Sequence, residues 1–192
     1  MTSIFSLISA DYRRYYALAG GSRLRRISRC LLSPGFQAVT VYRIGHWTLH
    51  GSKILKLPVR LVYVLANLLI KICWGIDIEP DAKIGAGLYI GHFGGINISG
   101  AVVMGHSCNI SQSITLGVAG AGDKFGAPVI GDEAYIAPGV RAFGKIRIGN
   151  NVKLGANAVI HADIPDNAVV VLEPGFKIIS LKGNRRRAQT PG

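Results

Sequence analysis

Asp77 and His92, fifteen residues apart, are the residues of this sequence whose types best suit proton-transfer chemistry. A histidine has an ordinary pKa of about 6.5, so near neutral pH it can take the proton of a hydroxyl group that attacks a carbonyl. A carboxylate that accepts a hydrogen bond from the other ring nitrogen fixes the tautomer of the imidazole and stabilises its protonated form. Whether the two side chains meet depends on the elements that carry them.

A six-residue period dominates the sequence after residue 76. Such a period fits neither an α-helix, with 3.6 residues per turn, nor a single strand, with an alternation of two. It is typical of short strands joined by turns into stacked coils, which bury a continuous core that no single repeat could bury. The sequence therefore predicts a parallel β-helix of hexapeptide repeats. Its apolar anchors are Ile78, Ile84, Ile90, Ile96, Val102, Cys108 and Ile114 in a first frame, and Ile130, Ile136, Ala142, Ile148, Leu154 and Ile160 in a second.

The period also predicts where the chemistry-bearing residues fall. One coil takes about three hexapeptides, so position 77 is expected to stack under position 95, which leaves His92 only a few residues away along the next coil. Residues 117–128, rich in glycine, break the period between the two frames. They are expected to leave the coil as an excursion loop that moves or lies close to a ligand.

Residues 1–76 differ from the rest in both pattern and charge. Apolar spacing predicts helices over 11–18, 35–50 and 58–74. The segment carries eleven basic residues and one acid, Asp11, in a chain of net charge +12. We therefore divide the chain into a basic α-helical region at 1–76, a β-helix at 77–181 and a basic tail at 182–192. The basic front half predicts peripheral contact with an anionic membrane.

Composition excludes several classes of partner and site. The arginine-rich segment 23–29 has no interleaved aromatic residues, so we expect no nucleic acid partner. The chain has three cysteines without paired spacing, which argues against a disulfide framework or a zinc site and favours the reducing cytoplasm, with no metal. The apolar run at 57–76 is interrupted by Arg60, Asn67 and Lys71, and indicates a packed or interfacial helix rather than a membrane span.

Several motifs make residues 36–181 resemble the serine acetyltransferase branch of the hexapeptide acyltransferases. They are YRIGHW at 42–47, GIDIEP at 75–80, AKIG at 82–85, GHFGGI at 91–96, SQSITLG at 111–117 and PGFK at 174–177. The resemblance implies a left-handed β-helix, a homotrimer, and acetyl-CoA bound in a groove between neighbouring coils. It also implies that His92 is the general base and that Asp77 orients it.

The same resemblance implies a set of residues for the acetyl donor. Lys153 matches a position near the phosphates of CoA, where a lysine can act as a point charge. The other implied groove residues are Gly117, Ala156 and Lys177. Small residues at the first two positions would let the pantetheine arm approach the backbone.

Departures from the family pattern bear on the acceptor. Gly91 stands where the family has an aspartate before the histidine, and Gly126 and Ala127 stand where its loop has an arginine–histidine pair. Because a site built on paired charges loses affinity when they are removed, the serine pocket is interpreted as emptied. The motif at 87–96 is similar to relatives that acetylate sugars.

We therefore expect an acetyl-CoA-dependent O-acetyltransferase acting on a sugar hydroxyl in polysaccharide biosynthesis, in the cytoplasm or at the inner membrane face. The alternatives are a serine O-acetyltransferase and a non-catalytic hexapeptide scaffold.

Overall fold

The computed structural model describes residues 3–49 and 53–173, which form four helices followed by fourteen short strands. The helices are α1 (Ile4–Leu18), α2 (Arg23–Leu31), α3 (Pro34–Thr48) and α4 (Lys53–Trp74). The sequence pattern missed α2, because four arginines in nine residues hide the short apolar side on which Cys30 is buried. The predicted basic tail, 182–192, lies outside the described residues.

The strands form three parallel sheets that wind into the predicted β-helix. The strands are β1 (Ile76–Ile78), β2 (Lys83–Ile84), β3 (Tyr89–Ile90), β4 (Ile96–Ile98), β5 (Val103–Met104), β6 (Asn109–Ile110), β7 (Thr115–Gly117), β8 (Val129–Ile130), β9 (Tyr135–Ile136), β10 (Arg141–Phe143), β11 (Arg147–Ile148), β12 (Lys153–Leu154), β13 (Val159–Ile160) and β14 (Val169–Val170). The first sheet is β1-β4-β7-β10-β13, the second β2-β5-β8-β11, and the third β3-β6-β9-β12-β14. Each coil crosses the three sheets once, so residues far apart in sequence become neighbours along the axis.

The register differs from the predicted one by two residues in the first coil. Ile76 pairs with Ile96 and Asp77 with Asn97, so residue 77 does not stack under residue 95. The cause is the corner at 91–95, which makes the span between the paired positions 76 and 96 twenty residues, whereas Asn97 pairs with Thr115 after eighteen. The predicted anchors belong to two different columns of buried side chains that stack along the axis. The six-residue period cannot distinguish these columns, because the residues of both are apolar.

The core is built from these columns of aliphatic side chains. In the first sheet one column runs Ile78, Ile98, Leu116, Ala142 and Ile160, all buried. Their strand neighbours point outward and are mostly polar or partly exposed, as the alternation of a strand requires. The outward positions of the first sheet are therefore free to carry chemistry.

A buried ion pair joins the helices to the first coil. Nε of Arg43 on α3 lies 2.9 Å from Oδ2 of Asp11 on α1, and both side chains are about 1% exposed. Oδ1 of Asp11 also accepts hydrogen bonds from the backbone N–H groups of Gly87 (2.7 Å) and Leu88 (3.0 Å). Arg43 donates in turn to the carbonyl oxygens of Ile84 and Gly85. The pair thus satisfies four backbone groups of the coil.

Two tyrosines also satisfy backbone hydrogen-bonding groups of the first coil. The hydroxyl of Tyr42 donates to the carbonyl of Ala82 (2.6 Å) and accepts from the N–H of Ile84 (3.3 Å). The hydroxyl of Tyr15 accepts from the N–H of Ile90 (2.8 Å). An end coil otherwise presents unpaired backbone groups. The side chains of α1 and α3 therefore take the place of a preceding coil.

Residues 118–128 leave the coil between β7 and β8. They fold back as a small hairpin in which Ala119 pairs with Gly126, around a 3₁₀ turn at Gly122–Lys124. Because β7 belongs to the first sheet, the hairpin projects beside that sheet.

Replacing Asp11 by alanine should destabilise the fold by about 3–5 kcal/mol, because it leaves the Arg43 cation buried without a counter-charge. Urea unfolding followed by circular dichroism would measure this. Asp81→Ala removes an exposed acid and should change the unfolding free energy by less than about 0.5 kcal/mol. Equal losses for the two variants would contradict a special role of the buried pair.

Cysteine reactivity gives a second test of the packing. Cys30 and Cys108 are buried and Cys73 is exposed; burial raises the pKa of the Cys30 thiol, and that of Cys108 to about 11. Because the thiolate is the reactive form, raised pKa values suppress alkylation at pH 8. Iodoacetamide should modify the native protein once, at Cys73, and all three cysteines in urea, as read by mass spectrometry. Native modification of Cys108 would contradict this packing.

Candidate active site

Asp77 lies at the centre of β1, with its side chain on the outer face of the first sheet. Its two strand neighbours are buried while Asp77 itself is partly exposed. The next coils place Asn97 and then Thr115 beside it in the same outward column. An open cleft follows this column, and its lining is Asp77, Glu79, Asn97, Ile98, Ser99, Thr115, Leu116 and Gly117. The sheet thus presents a polar track that starts at a carboxylate.

The Asp77 carboxylate faces the end of α4. Nζ of Lys71 lies 2.9 Å from Oδ1 of Asp77, and the two side chains are 40% and 37% exposed. This contact is an ion pair by distance, but Oδ1 itself is buried and accepts no hydrogen bond from the described residues. The carboxylate therefore keeps capacity for a further donor.

His92 lies in the long corner at 91–95, and its side chain is exposed. The neighbouring Phe93 packs edge-on against Trp74 of α4, with ring centroids 5.3 Å apart. Gly94 and Gly95 follow with φ of 101° and 66°, which glycine adopts without strain. The corner is therefore held at the C-terminal end of α4, the same end that carries Lys71.

The structure brings His92 and Asp77 to one end of α4 but does not join them by a hydrogen bond. Within the described part of the chain, neither ring nitrogen of His92 has a hydrogen-bond partner, and the carboxylate has Lys71 instead. The predicted roles of the pair stay predictions.

Ala156 and Lys153 lie along the edge that begins at the His92 corner. Backbone hydrogen bonds stack the corners between the third and first sheets, from Ser113 to Gly94 (2.8 Å), Gly139 to Gln112 (3.1 Å) and Asn157 to Pro138 (2.9 Å). Ala156, which precedes Asn157, is therefore three coils below Gly94. Lys153 is exposed on β12 just before the same corner, with its ammonium 5.7 Å from the centre of the Tyr135 ring. These stacked corners are called the corner edge below.

Gly117 and Lys177 do not share the corner edge in the described structure. Gly117 ends β7 at the far side of the first sheet, where it lines the cleft with Asp77. A Cβ atom at this position would meet the Phe143 ring at 3.0 Å, so only glycine fits without movement. Lys177 lies outside the described residues.

Sequence reasoning missed three polar residues near this site. Lys71 and Asn97 belong to none of the quoted motifs, and Gln112 lies in the SQSITLG motif without an assigned role; only the fold shows what the three residues adjoin. Gln112 lies on the corner edge, and its buried Oε1 has no hydrogen-bond partner among the described residues. For a metal, residues 3–49 and 53–173 hold no group of three or more His, Cys, Asp or Glu side chains placed to bind one.

The family model for the hexapeptide repeat of succinyl-transferase matches residues 70–92 and 145–171. Over 182 residues the chain is 32% identical to the serine acetyltransferase of Synechococcus elongatus, which covers 95% of this chain and 71% of that protein. Of the two ranges that the family model matches, residues 70–92 include Asp77 and His92, and residues 145–171 include Lys153 and Ala156.

Solved structures give the same picture. The Neisseria gonorrhoeae serine acetyltransferase in complex with serine superposes with a TM-score of 0.72 at 29% identity, over 89% of this chain and 67% of that one. A serine acetyltransferase in complex with CoA gives a TM-score of 0.70 at 27% identity, over 87% and 66%. Across the solved relatives, this chain spans 61% to 68% of their length.

These relatives overturn the predicted sugar acceptor, since both the sequence and the structural matches are serine acetyltransferases. The expectation of a sugar acceptor was wrong because it compared charged residues with the family pattern one sequence position at a time. A basic residue of another segment lies beside residue 126: Cβ of Lys145 is 3.0 Å from the point where a Cβ of Gly126 would be. The same hairpin also carries Lys124. Missing side chains in one segment therefore do not show that a charged pocket is lost.

Lys71→Met should change the unfolding free energy by less than about 1 kcal/mol, because the Lys71–Asp77 pair is more than a third exposed and screened. Urea unfolding would measure this, with the exposed Lys83→Met as the matched control. A loss several times larger than that of the control would mean that the ion pair holds α4 against β1.

Proposed function

The chain belongs to the serine acetyltransferase family, and we propose that it transfers the acetyl group of acetyl-CoA to the hydroxyl of L-serine. The observation that carries the proposal is the match over 95% of the chain to a serine acetyltransferase, which includes the coil bearing Asp77 and His92. The solved relatives with serine and with CoA support both substrates.

His92 is the general base in this proposal. Its exposed imidazole takes the proton of the serine hydroxyl as the oxygen attacks the thioester carbonyl, and then returns the proton to the departing sulfur of CoA. Atoms balance, since one C–O bond forms, one C–S bond breaks, and the proton passes from oxygen to sulfur through the ring. Positioned proton transfer of this kind contributes typically about 10²–10⁴-fold to a rate.

Asp77 is the orienting carboxylate. A carboxylate offers about four acceptor sites, so Asp77 can keep its contact with Lys71 and still accept a hydrogen bond from His92. In this proposal the exposed corner at 91–95 turns its histidine towards β1 to make that bond. The flanking glycines, Gly94 and Gly95, permit such a change of the backbone.

The corner edge is the proposed path of the acetyl donor. From Gly94 to Ala156 it extends over three coil steps of about 4.8 Å, or about 14 Å, a length suited to an extended pantetheine arm. The donor thioester would lie at the His92 end, and Lys153 would meet a phosphate at the other. The buried and unpartnered Oε1 of Gln112 lies between them as an acceptor for an amide N–H of the arm.

Lys124 and Lys145 are the proposed partners of the serine carboxylate. Their segments are joined by a hydrogen bond from the N–H of Lys145 to the carbonyl of Lys124, and the N–H of Gly144 donates to Gly117 in the cleft. The backbone segments that carry both lysines thus adjoin the far end of the track that starts at Asp77. We also propose that the chain assembles as a homotrimer, as its family resemblance implies.

His92→Ala should lower kcat/KM for L-serine by at least 100-fold, because the attacking hydroxyl loses its base. His161→Ala removes another exposed histidine and serves as the matched control, with activity unchanged. The measurement is CoA thiol release from acetyl-CoA, with L-serine, nucleotide sugars and no acceptor run side by side.

Each other outcome has a definite meaning. Turnover with a nucleotide sugar and none with L-serine would contradict the proposed acceptor. No turnover with any acceptor, and no difference between His92→Ala and the parent, would favour a non-catalytic scaffold.

A further inference from the structure

The side of α4 that faces away from α3 is apolar and uncovered. Eight residues fall within an arc of about 160° at 100° per residue, and each is more than half exposed. They are Leu57, Leu61, Val62, Val64, Leu65, Leu68, Leu69 and Ile72, and are called the outer face below. Apolar surface of this extent on one helix indicates an interaction site.

The opposite side of α4 packs against the rest of the protein. Tyr63 and Ile70 are buried against the rest of the protein, and Ala66, Asn67 and Trp74 are partly buried on the same side. Residues 56–74 have a mean hydropathy of 1.6, yet only 11% of them are buried. The outer face is therefore in excess of what the fold of this chain needs.

We propose that the outer face lies in the headgroup boundary of an anionic lipid bilayer, with α4 parallel to the membrane plane. An in-plane helix buries one apolar side to a depth of about 5–10 Å and is held further by basic residues near its edge. The proposal concerns the side of α4 that faces away from α3 and does not depend on which hydroxyl is acetylated.

Charge favours lipid over a second copy of this chain as the occupant. No acid occurs between Asp11 and Asp77, and the one acid before residue 77 is already paired with Arg43 inside the protein. Arg60 and Lys71 lie along the same border of the outer face, about three helical turns apart, at about 60° and 80° on the helical wheel when Tyr63 is set at zero. Lys71 also contacts Asp77. A second copy would bring the same positive field against itself, whereas anionic headgroups complement it.

Packing favours an orientation along the membrane rather than across it. Tyr63 and Ile70, two turns apart, are both buried, so α4 lies against α3 over much of its length. Helix α3 carries the buried Arg43, and β1 begins two residues after Trp74. Taking α4 across a bilayer would drag these buried polar groups into hydrocarbon, which is costly. Placing only the outer face in lipid leaves them undisturbed.

Vesicle flotation of the full-length protein tests the proposal. Vesicles of phosphatidylcholine with 40% phosphatidylglycerol should carry the protein to the top of the gradient at low salt. Vesicles of phosphatidylcholine alone should bind at least tenfold less, and 0.5 M salt should weaken binding to the anionic vesicles. The triple variant Leu61→Gln/Leu65→Gln/Ile72→Gln should lose at least tenfold in binding.

A matched variant controls for the general loss of exposed apolar surface. Val169→Gln/Val171→Gln/Leu172→Gln alters three residues of the last coil that are also more than half exposed, and its vesicle binding should equal that of the parent. Thiol release with acetyl-CoA and L-serine, together with circular dichroism, shows that each variant folds. Membrane binding is read separately from turnover, so either proposal can fail alone.

A probe at Cys73 reports where α4 sits. This cysteine is exposed next to the outer face, and the other two cysteines are buried, so an environment-sensitive dye attached there should shift to the blue on anionic vesicles and be quenched by lipids labelled in the acyl chain. Absence of flotation on anionic vesicles would overturn the proposal. So would a triple variant that keeps flotation but changes the oligomeric mass in sedimentation, because the outer face would then be a protein interface.

Discussion

The buried pair of Asp11 and Arg43 is the constraint on which the rest of the structure depends. It joins α1 to α3 and ties both to the backbone of the first coil at Ile84, Gly85, Gly87 and Leu88. An ion pair of this kind contributes little net stability, because the cost of taking both charges out of water offsets most of their attraction. What it specifies is register: any other docking of the helices would leave a charge and several backbone groups buried without partners.

The position of α3 on the first coil determines where α4 lies. Helix α4 packs along α3, and its C-terminal end then stands beside β1, where Lys71 meets Asp77 and Trp74 meets Phe93. The candidate active site thus lies where the helical region and the β-helix join. The same arrangement turns the opposite side of α4 outward, so the position of the candidate site and the exposure of the outer face have one cause.

In a stack of coils, the side chains that form a binding site need not be close together in the sequence, and this affects how the acceptor pocket is predicted. In a β-helix, residues eighteen to twenty-six positions apart become neighbours, as in the column of Asp77, Asn97, Thr115 and Arg141. A charge lost from the hairpin at 118–128 can therefore be supplied from an adjoining coil, as the position of Lys145 beside Gly126 illustrates. The interpretation that the serine pocket is empty was based on Gly126 and Ala127 alone, and it did not consider charges supplied by adjoining coils.

The sequence by itself determined the architecture, because the six-residue period is a direct consequence of how short strands and turns wind into coils. It also singled out Asp77 and His92 by residue type and by family resemblance. It could not determine the register of the first coil, since both buried columns are apolar and a slip of two residues at the corner 91–95 leaves the period intact. Nor could it show Lys71 against Asp77 or the uncovered side of α4: those depend on how α4 docks. Only the tertiary structure decided them: α4 packs on α3, and α3 is tied to the first coil by the buried Asp11–Arg43 pair, whose partners are thirty-two residues apart and carry no periodic signal.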